Sequence, residues 1–259
     1  MGERYIHLVG ILGEPNAGKT ACLVSLYLSV AQRCLGSFAF VDSRTLMGFE
    51  EISQGARQWN KGRIPEQFTD HTLLPDNRAA GFLHIGLARA PQDNRVDLLC
   101  SDLPGEWTTE LIERNRIDRL EFLKRADAIW LVVDGTELVA PDKRQLCVHR
   151  TKMVIERLGD FLGAGCRLVL VITRRDQQAP DERAVLDICA KGTQRGFETK
   201  WVAVASFSKD SEVAAGTGIP DLIEHTTEFS RDGGDVWQQD GNETPFETPK
   251  IGLVRRGTA

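Results

Sequence analysis

Gly13-Glu14-Pro15-Asn16-Ala17-Gly18-Lys19-Thr20 carries residue types that bind phosphate, in the spacing G-x-x-x-x-G-K-[ST]. Gly13 and Gly18 allow a tight backbone turn whose N–H groups converge on phosphate oxygens. Lys19 supplies a point charge for the outer phosphates, and the Thr20 hydroxyl is a hard oxygen ligand suited to Mg²⁺. Pro15, Asn16, Ala17 and Ala21 would contribute backbone to the same cradle. A helix that begins at the loop turns its unpaired N–H groups and positive dipole end toward the same anion. A plain Gly-rich turn that starts a helix is the alternative.

Two further clusters could act with this loop. Asp102-Leu103-Pro104-Gly105 puts a carboxylate at a strand end and a Gly three residues on. Asp102 can hold Mg²⁺ through a water, and the Gly105 N–H can bond a γ-phosphate; the bland reading is an Asp-Pro-Gly turn. Thr173-Arg174-Arg175-Asp176 ends another strand candidate. A carboxylate such as Asp176 can accept from the N1–H and 2-amino group of guanine, donors that adenine lacks. The stem of Arg174 could cover the purine face, or the whole turn could be solvated. Ser206 and Phe207, in Ala205-Ser206-Phe207-Ser208, offer backbone to the guanine carbonyl or form an ordinary loop.

These residues need a scaffold of alternating strands and helices, and the chain supplies one. Tyr5 to Leu12 is an apolar strand candidate, and Thr20 to Gln32 a helix. Residues 37–41, 82–87, 96–100, 128–133, 167–172 and 200–205 read as further strands, with a hairpin turn at 91–94. Helices are expected over 44–60, 109–124, 142–162, 184–191 and 219–229, the last opened by Pro220. The fold class is α/β: a three-layer sandwich, its sheet mostly parallel with one antiparallel hairpin strand. Residues 1–230 form the domain, with an insertion at about 43–80, and 231–259 a polar tail.

Composition fits a soluble globular chain: 259 residues, 41% hydrophobic and 27% charged. A formal net charge of −5 argues against nucleic acid as the partner of the chain as a whole. Cys22, Cys34, Cys100, Cys147, Cys166 and Cys189 form no C-x-x-C pair and read as buried thiols of a reducing compartment. Without a signal peptide, membrane span or lipidation box, a cytoplasmic protein with no membrane insertion is expected. His7 reads as a core or edge histidine, and Trp107, Trp130, Trp201 and Trp237 as packing. Arg114, Arg116 and Arg119 read as a solvated or partner-binding face, or as a source of an arginine finger.

In motif order over residues 5–229 the chain resembles a Ras-like P-loop GTPase, a member of the translation-factor-related superclass. Gly13 to Thr20 matches the family's phosphate loop, Asp102 to Gly105 its D-x-x-G, and Thr173 to Asp176 its [NT]-K-x-D with Arg174 in place of Lys. Ser206 to Ser208 matches its S-A-K poorly. Gly18 to Tyr27 and the Asp-x-Pro-Gly-Glu run are similar to the bacterial double-GTPase group, which is associated with conflict or defence gene clusters. The resemblance implies GTP/GDP and Mg²⁺ as ligands, and a protein effector or activating partner, a second GTPase or a second copy among them. It also implies a switch Thr that meets Mg²⁺, with Thr69 preferred over Thr72. Glu106 stands where Ras-like enzymes carry the Gln that orients water. It could orient water, with slow hydrolysis that depends on a partner, or simply favour the helix dipole. A P-loop kinase or ATPase, and a nucleotide-binding scaffold without turnover, are the competing readings.

Overall fold

The computed structural model describes residues 6–50, 81–90, 94–163, 165–208 and 212–228, all within the compact unit that ends at Glu228. The expected tail at 231–259, most of the expected insertion at about 43–80 with Thr69 and Thr72, the 51–60 part of the expected helix over 44–60, and Trp237 lie outside the described residues.

Among the described residues, seven strands form one sheet: β1 (Ile6–Leu12), β2 (Phe38–Asp42), β3 (Gly81–Arg89), β4 (Asn94–Asp102), β5 (Ala128–Asp134), β6 (Arg167–Thr173) and β7 (Glu198–Ala203). Their order is β2-β3-β4-β1-β5-β6-β7. The β1–β4, β1–β5, β5–β6 and β6–β7 pairs are parallel, whereas β3 pairs antiparallel with both β2 and β4. One strand, β3, therefore runs against the rest. The connection after β1 runs to β2 on one side of the sheet and the connection after the adjacent β5 runs to β6 on the other, and in such sheets ligands sit at the carboxyl ends around that switch point. Leu12, Asp102, Asp134 and Thr173 end the four strands there.

The helices are α1 (Lys19–Ala31), α2 (Gly105–Arg114), α3 (Gly135–Val139), α4 (Arg144–Leu162), α5 (Glu182–Gln194) and α6 (Ile219–Thr227). Residues 46–50 begin another helix. Strand alternation sorts the core into two faces. Ile129, Leu131 and Val133 of β5 pack with Leu111, Leu138, Ile155 and Ile188 from α2 to α5. Trp130 and Val132 pack on the other face with Leu23 and Leu26 of α1 and Leu222 and Ile223 of α6. Both faces of β5 and β6 are buried, which is why these strands read as continuous apolar runs. Two hydrogen bonds tie the sheet to α6: Trp130 Nε1 donates to Thr226 Oγ1 at 2.8 Å, and Arg167 Nη1 donates to the Thr226 carbonyl at 2.8 Å.

Several boundaries differ from the sequence expectation. The expected helix over 109–124 is two pieces. α2 ends at Arg114 because Asn115 turns left-handed (φ 52°), and a tight 3₁₀ segment covers Asp118–Arg125. Asn accepts that backbone with little penalty, so the apolar spacing continues while the helix axis does not. β4 extends from Asn94 to Asp102 because β3 pairs with it along its whole length. α5 starts at Glu182, where the Asp181 side chain accepts from the N–H groups of Arg183 and Ala184. β7 ends at Ala203, before the expected 205. Cys34 is exposed and Cys189 partly so, while the other four thiols are buried; all six are free.

Candidate functional site

β1 delivers the chain into the 13–18 loop, and α1 begins at Lys19. The loop's carbonyls are held from outside. Lys19 Nζ donates to Gly13 O at 2.8 Å and Glu14 O at 3.0 Å. Thr173 Oγ1 donates to Ala17 O at 2.8 Å, and Arg174 Nη2 to Asn16 O at 3.1 Å. Gly13 N–H donates to Thr108 Oγ1 at 3.1 Å. Asn16 (φ 64°) and Gly18 (φ 100°) take left-handed backbone, and a Cβ at Gly18 would crowd Thr173 Cγ2 at 3.1 Å. Lys19 is 7% exposed. Burial lowers its pKa to about 8, against the opposing pull of Asp102, Glu106 and Glu14.

Asp102 ends β4 and is buried, with its Oδ1 3.5 Å from Thr20 Oγ1. Three residues on, Gly105 opens α2 directly against the loop. A Cβ on Gly105 would lie 2.4 Å from Pro15 N and 2.6 Å from Pro15 Cα. Glu106 is exposed in the first turn of α2, where the helix dipole favours a carboxylate. Trp107 is buried in the core, with the Arg119 guanidinium 5.4 Å from its ring centre. Arg116 and Arg119 both pair with Glu110 of α2.

At the far end of the loop, β6 brings Thr173 and Arg174 to it. Asp176 follows in the turn after β6 and is half-buried. Arg175 N–H donates to Val204 O at 3.2 Å, which ties this turn to the chain just after β7. Ser206 and Phe207, both half-buried, continue that chain, and Ser206 Oγ lies 3.6 Å from Cys22 Sγ. Gly13, Pro15, Asn16, Ala17, Gly18, Lys19, Thr20 and Ala21 form the loop and the start of α1, and Asp102, Gly105, Thr173 and Arg174 flank them at the carboxyl end of the central strands.

With this geometry in view, the comparisons with known proteins decide the family. The family model Double-GTPase 2 matches residues 7–227. The chain belongs to the Double-GTPase 2 family. Among solved structures, the fold is similar to the signal recognition particle receptor SRb-GTP/SRX complex from Chaetomium thermophilum. That match has a TM-score of 0.53 at 11% identity, over 86% of this chain and 99% of that one. At that identity the likeness concerns the fold: a Ras-like α/β sheet with its loop at the end of β1. A comparison with curated proteins gave no sequence match.

The Double-GTPase 2 domain also places beside the loop residues that its sequence pattern did not single out. Arg150 of α4 bonds Glu14 through Nε at 2.6 Å and lies 3.7 Å from Glu113 of α2, bridging the loop to two helices. A cavity of about 120 Å³ lies behind the loop, with Thr108, Cys147, Arg150 and Val154 among its walls. Asp134, Gly135 and Thr136, at the end of β5, contact Arg174 or the strand that carries it. The Asp-x-Thr pattern at the end of an apolar strand is an N-cap signal that would have flagged them.

A second acidic cluster, Asp42, His84 and Asp97, brings three ligand atoms within 4.8 Å. Its donors are already engaged. Arg44 N–H donates to His84 Nδ1 at 3.1 Å, so the proton is on Nε2, which donates to Asp97 Oδ1 at 2.9 Å. Arg95 bridges Asp42 and Asp97, each at 2.7 Å. The guanidinium supplies the cation that both carboxylates face. The cluster is a brace at the root of the 43–80 segment, where Ser43 Oγ donates to His84 O and His84 N–H to Thr45 Oγ1.

The Thr20 hydroxyl and the Asp102 carboxylate offer an oxygen-only pair beside a buried cation, Lys19. Such a donor set suits Mg²⁺ and a polyphosphate rather than a soft metal. Among the described residues no helix is long and apolar enough to cross a membrane.

Proposed function

We propose that this domain binds guanine nucleotide with Mg²⁺ and hydrolyses GTP to GDP as a switch. Its output is nucleotide-dependent binding of a protein partner, a second GTPase or a second copy among the candidates. The group resemblance suggests a cytoplasmic setting in a bacterial conflict or defence system. One observation carries the reading. A single loop is gripped at one end by Gly105 of the D-x-x-G cluster and at the other by Thr173 and Arg174 of the base cluster. The D-x-x-G cluster and the base cluster meeting at the same loop fit a guanine-nucleotide switch better than a P-loop kinase, which would need an acceptor pocket and a basic lid instead.

In this reading the loop N–H groups and Lys19 take the phosphates. Thr20 and Asp102 hold Mg²⁺, with Thr69 as the proposed ligand from the first switch. The metal supplies charge neutralisation across the outer phosphates. Gly105 N–H senses the γ-phosphate, and Glu106 orients the attacking water. Asp176 accepts from the guanine N1–H and amino group, while Ser206 and Phe207 offer backbone to its carbonyl. The charge of Glu106 beside the γ-phosphate disfavours fast turnover, so hydrolysis would depend on a partner.

The test is calorimetry with GDP, a non-hydrolysable GTP analogue and the adenine counterparts, all with Mg²⁺. Guanine-selective binding that Asp176→Ala removes is the expected result. Equal or tighter adenine binding would replace the guanine reading with an ATPase or kinase.

A further inference from the structure

The base cluster departs from the family pattern at Arg174, and the structure contains the feature that accommodates the change. Arg174 has φ 59°, a left-handed conformation that costs a non-Gly residue free energy unless contacts hold it. The contacts come from both sides. Nη2 donates to Asn16 O of the phosphate loop at 3.1 Å. Nη1 lies 2.6 Å from Asp134 Oδ2 and 3.4 Å from Thr136 Oγ1. A lysine ammonium at this position could satisfy the loop carbonyl. The planar guanidinium presents several donors in a fixed fork and needs acceptors in more than one direction.

Asp134 is itself fixed. Its Oδ1 accepts from Thr136 N–H at 2.9 Å and from Thr136 Oγ1 at 2.7 Å, which leaves Oδ2 aimed at Arg174. The same bond caps α3. Gly135 lets this turn lie against β6: a Cβ there would meet Thr173 O at 2.3 Å. Asp134-Gly135-Thr136 is therefore a seat for the arginine head. It holds the aliphatic stem across the gap between the loop and the turn that carries Asp176.

We propose that Asp134 is a positioning residue for nucleotide recognition. Acting through Arg174, it sets the stem that covers the purine face, and the Asp-Gly-Thr seat is what permits arginine in place of lysine. This inference rests on the base-recognition reading of Thr173 to Asp176.

The test is a double-mutant cycle on nucleotide affinity. Asp134→Asn keeps the capping oxygen for α3 and removes the charge facing Arg174. Arg174→Met removes the head and keeps much of the stem. GDP and ADP dissociation constants are measured with Mg²⁺ for wild type, both single variants and the double variant, together with nucleotide-free unfolding midpoints. The expected result is an about tenfold weaker GDP affinity for Asp134→Asn, as for loss of a charge-assisted hydrogen-bond partner. In the Arg174→Met background the same substitution should change affinity by less than about twofold. An equal loss in both backgrounds, or no loss in either, overturns the proposal and leaves Asp134 as a helix cap. A wild type that prefers ADP refutes the base reading separately, and the cycle is then decided on ADP. Failure to bind either nucleotide removes both.

Discussion

Gly105→Ala is the substitution that most directly probes the junction between the phosphate loop and α2. The added Cβ would lie 2.4 Å from Pro15 N, 2.6 Å from Pro15 Cα and 2.8 Å from Glu14 C, where ordinary contact begins at 3.4 Å. All three atoms belong to backbone, so no side chain can rotate away. The start of α2 must withdraw by about 1 Å, or the loop must move by the same amount. Overpacking of this kind costs about 1–3 kcal/mol, a fall of roughly 3–10 °C in unfolding midpoint for a domain of this size. The functional effect should be larger and selective. Displacing a positioned group by about 1 Å costs on the order of 100-fold in rate. The assay is single-turnover phosphate release, paired with affinities for GDP and a non-hydrolysable GTP analogue. GDP affinity should hold within about threefold, while the analogue weakens by about tenfold for loss of one charge-assisted bond to the γ-phosphate. If the two nucleotides weaken equally, or the midpoint falls while analogue affinity holds, Gly105 is a packing residue and no γ-phosphate sensor.

Other substitutions separate the remaining roles. Arg150→Ala removes the ion pair that ties Glu14 to α4, and nucleotide release measured by stopped-flow fluorescence should speed several-fold with a stability loss below about 1 kcal/mol. Glu106→Gln removes a charge from the first turn of α2 and should tighten the GTP analogue relative to GDP, read as the ratio of the two dissociation constants. Asp97 is held below the usual carboxylate range by hydrogen bonds from Arg95, with His84 adding to them. Its stabilising contribution is therefore present above about pH 4, the unfolded value, and is lost as pH falls through the lower folded value. Urea titrations of wild type and Asp97→Asn should differ most near neutral pH and converge in acid; a constant gap down to acid pH would exclude the linkage.

What could be read from the chain was set by how locally each feature is encoded. The strand before the phosphate loop, the loop and α1 follow from residues adjacent in sequence, and the buried runs of β5 and β6 announce themselves because both faces are covered. The break at Asn115 was hidden because Leu111 and Ile112 before it and Leu120 and Leu123 after it join the same cluster, so the apolar rhythm survives while the helix ends. The contact between Gly105 and Pro15 spans ninety residues of chain, and the reach of Arg150 to Glu14 spans 136. Nothing local to either partner encodes such a meeting. The Asp134 seat was missed for a different reason: its N-cap signal is local, but its target, Arg174, directly follows the next strand of the sheet.

The arrangement around the phosphate loop explains why strand order matters as much as the motif. A peptide unit whose carbonyl is fixed on one side presents its N–H on the other. Gly13 O and Glu14 O are held by Lys19, Glu14 O also by the Ala17 N–H, Asn16 O by Arg174, Ala17 O by Thr173, and Gly18 O by the Cys22 N–H of α1. Pro15, the one residue in the run without an N–H, is where Gly105 packs, so that approach covers no donor. The holders come from α1 and from β6, two strands away from β1, and the packing partner from the end of β4. A loop of the same sequence without those neighbours would be free to turn its carbonyls inward and repel an anion. The glycines make the turn possible, and α1 and the flanking strands fix which way its carbonyls face.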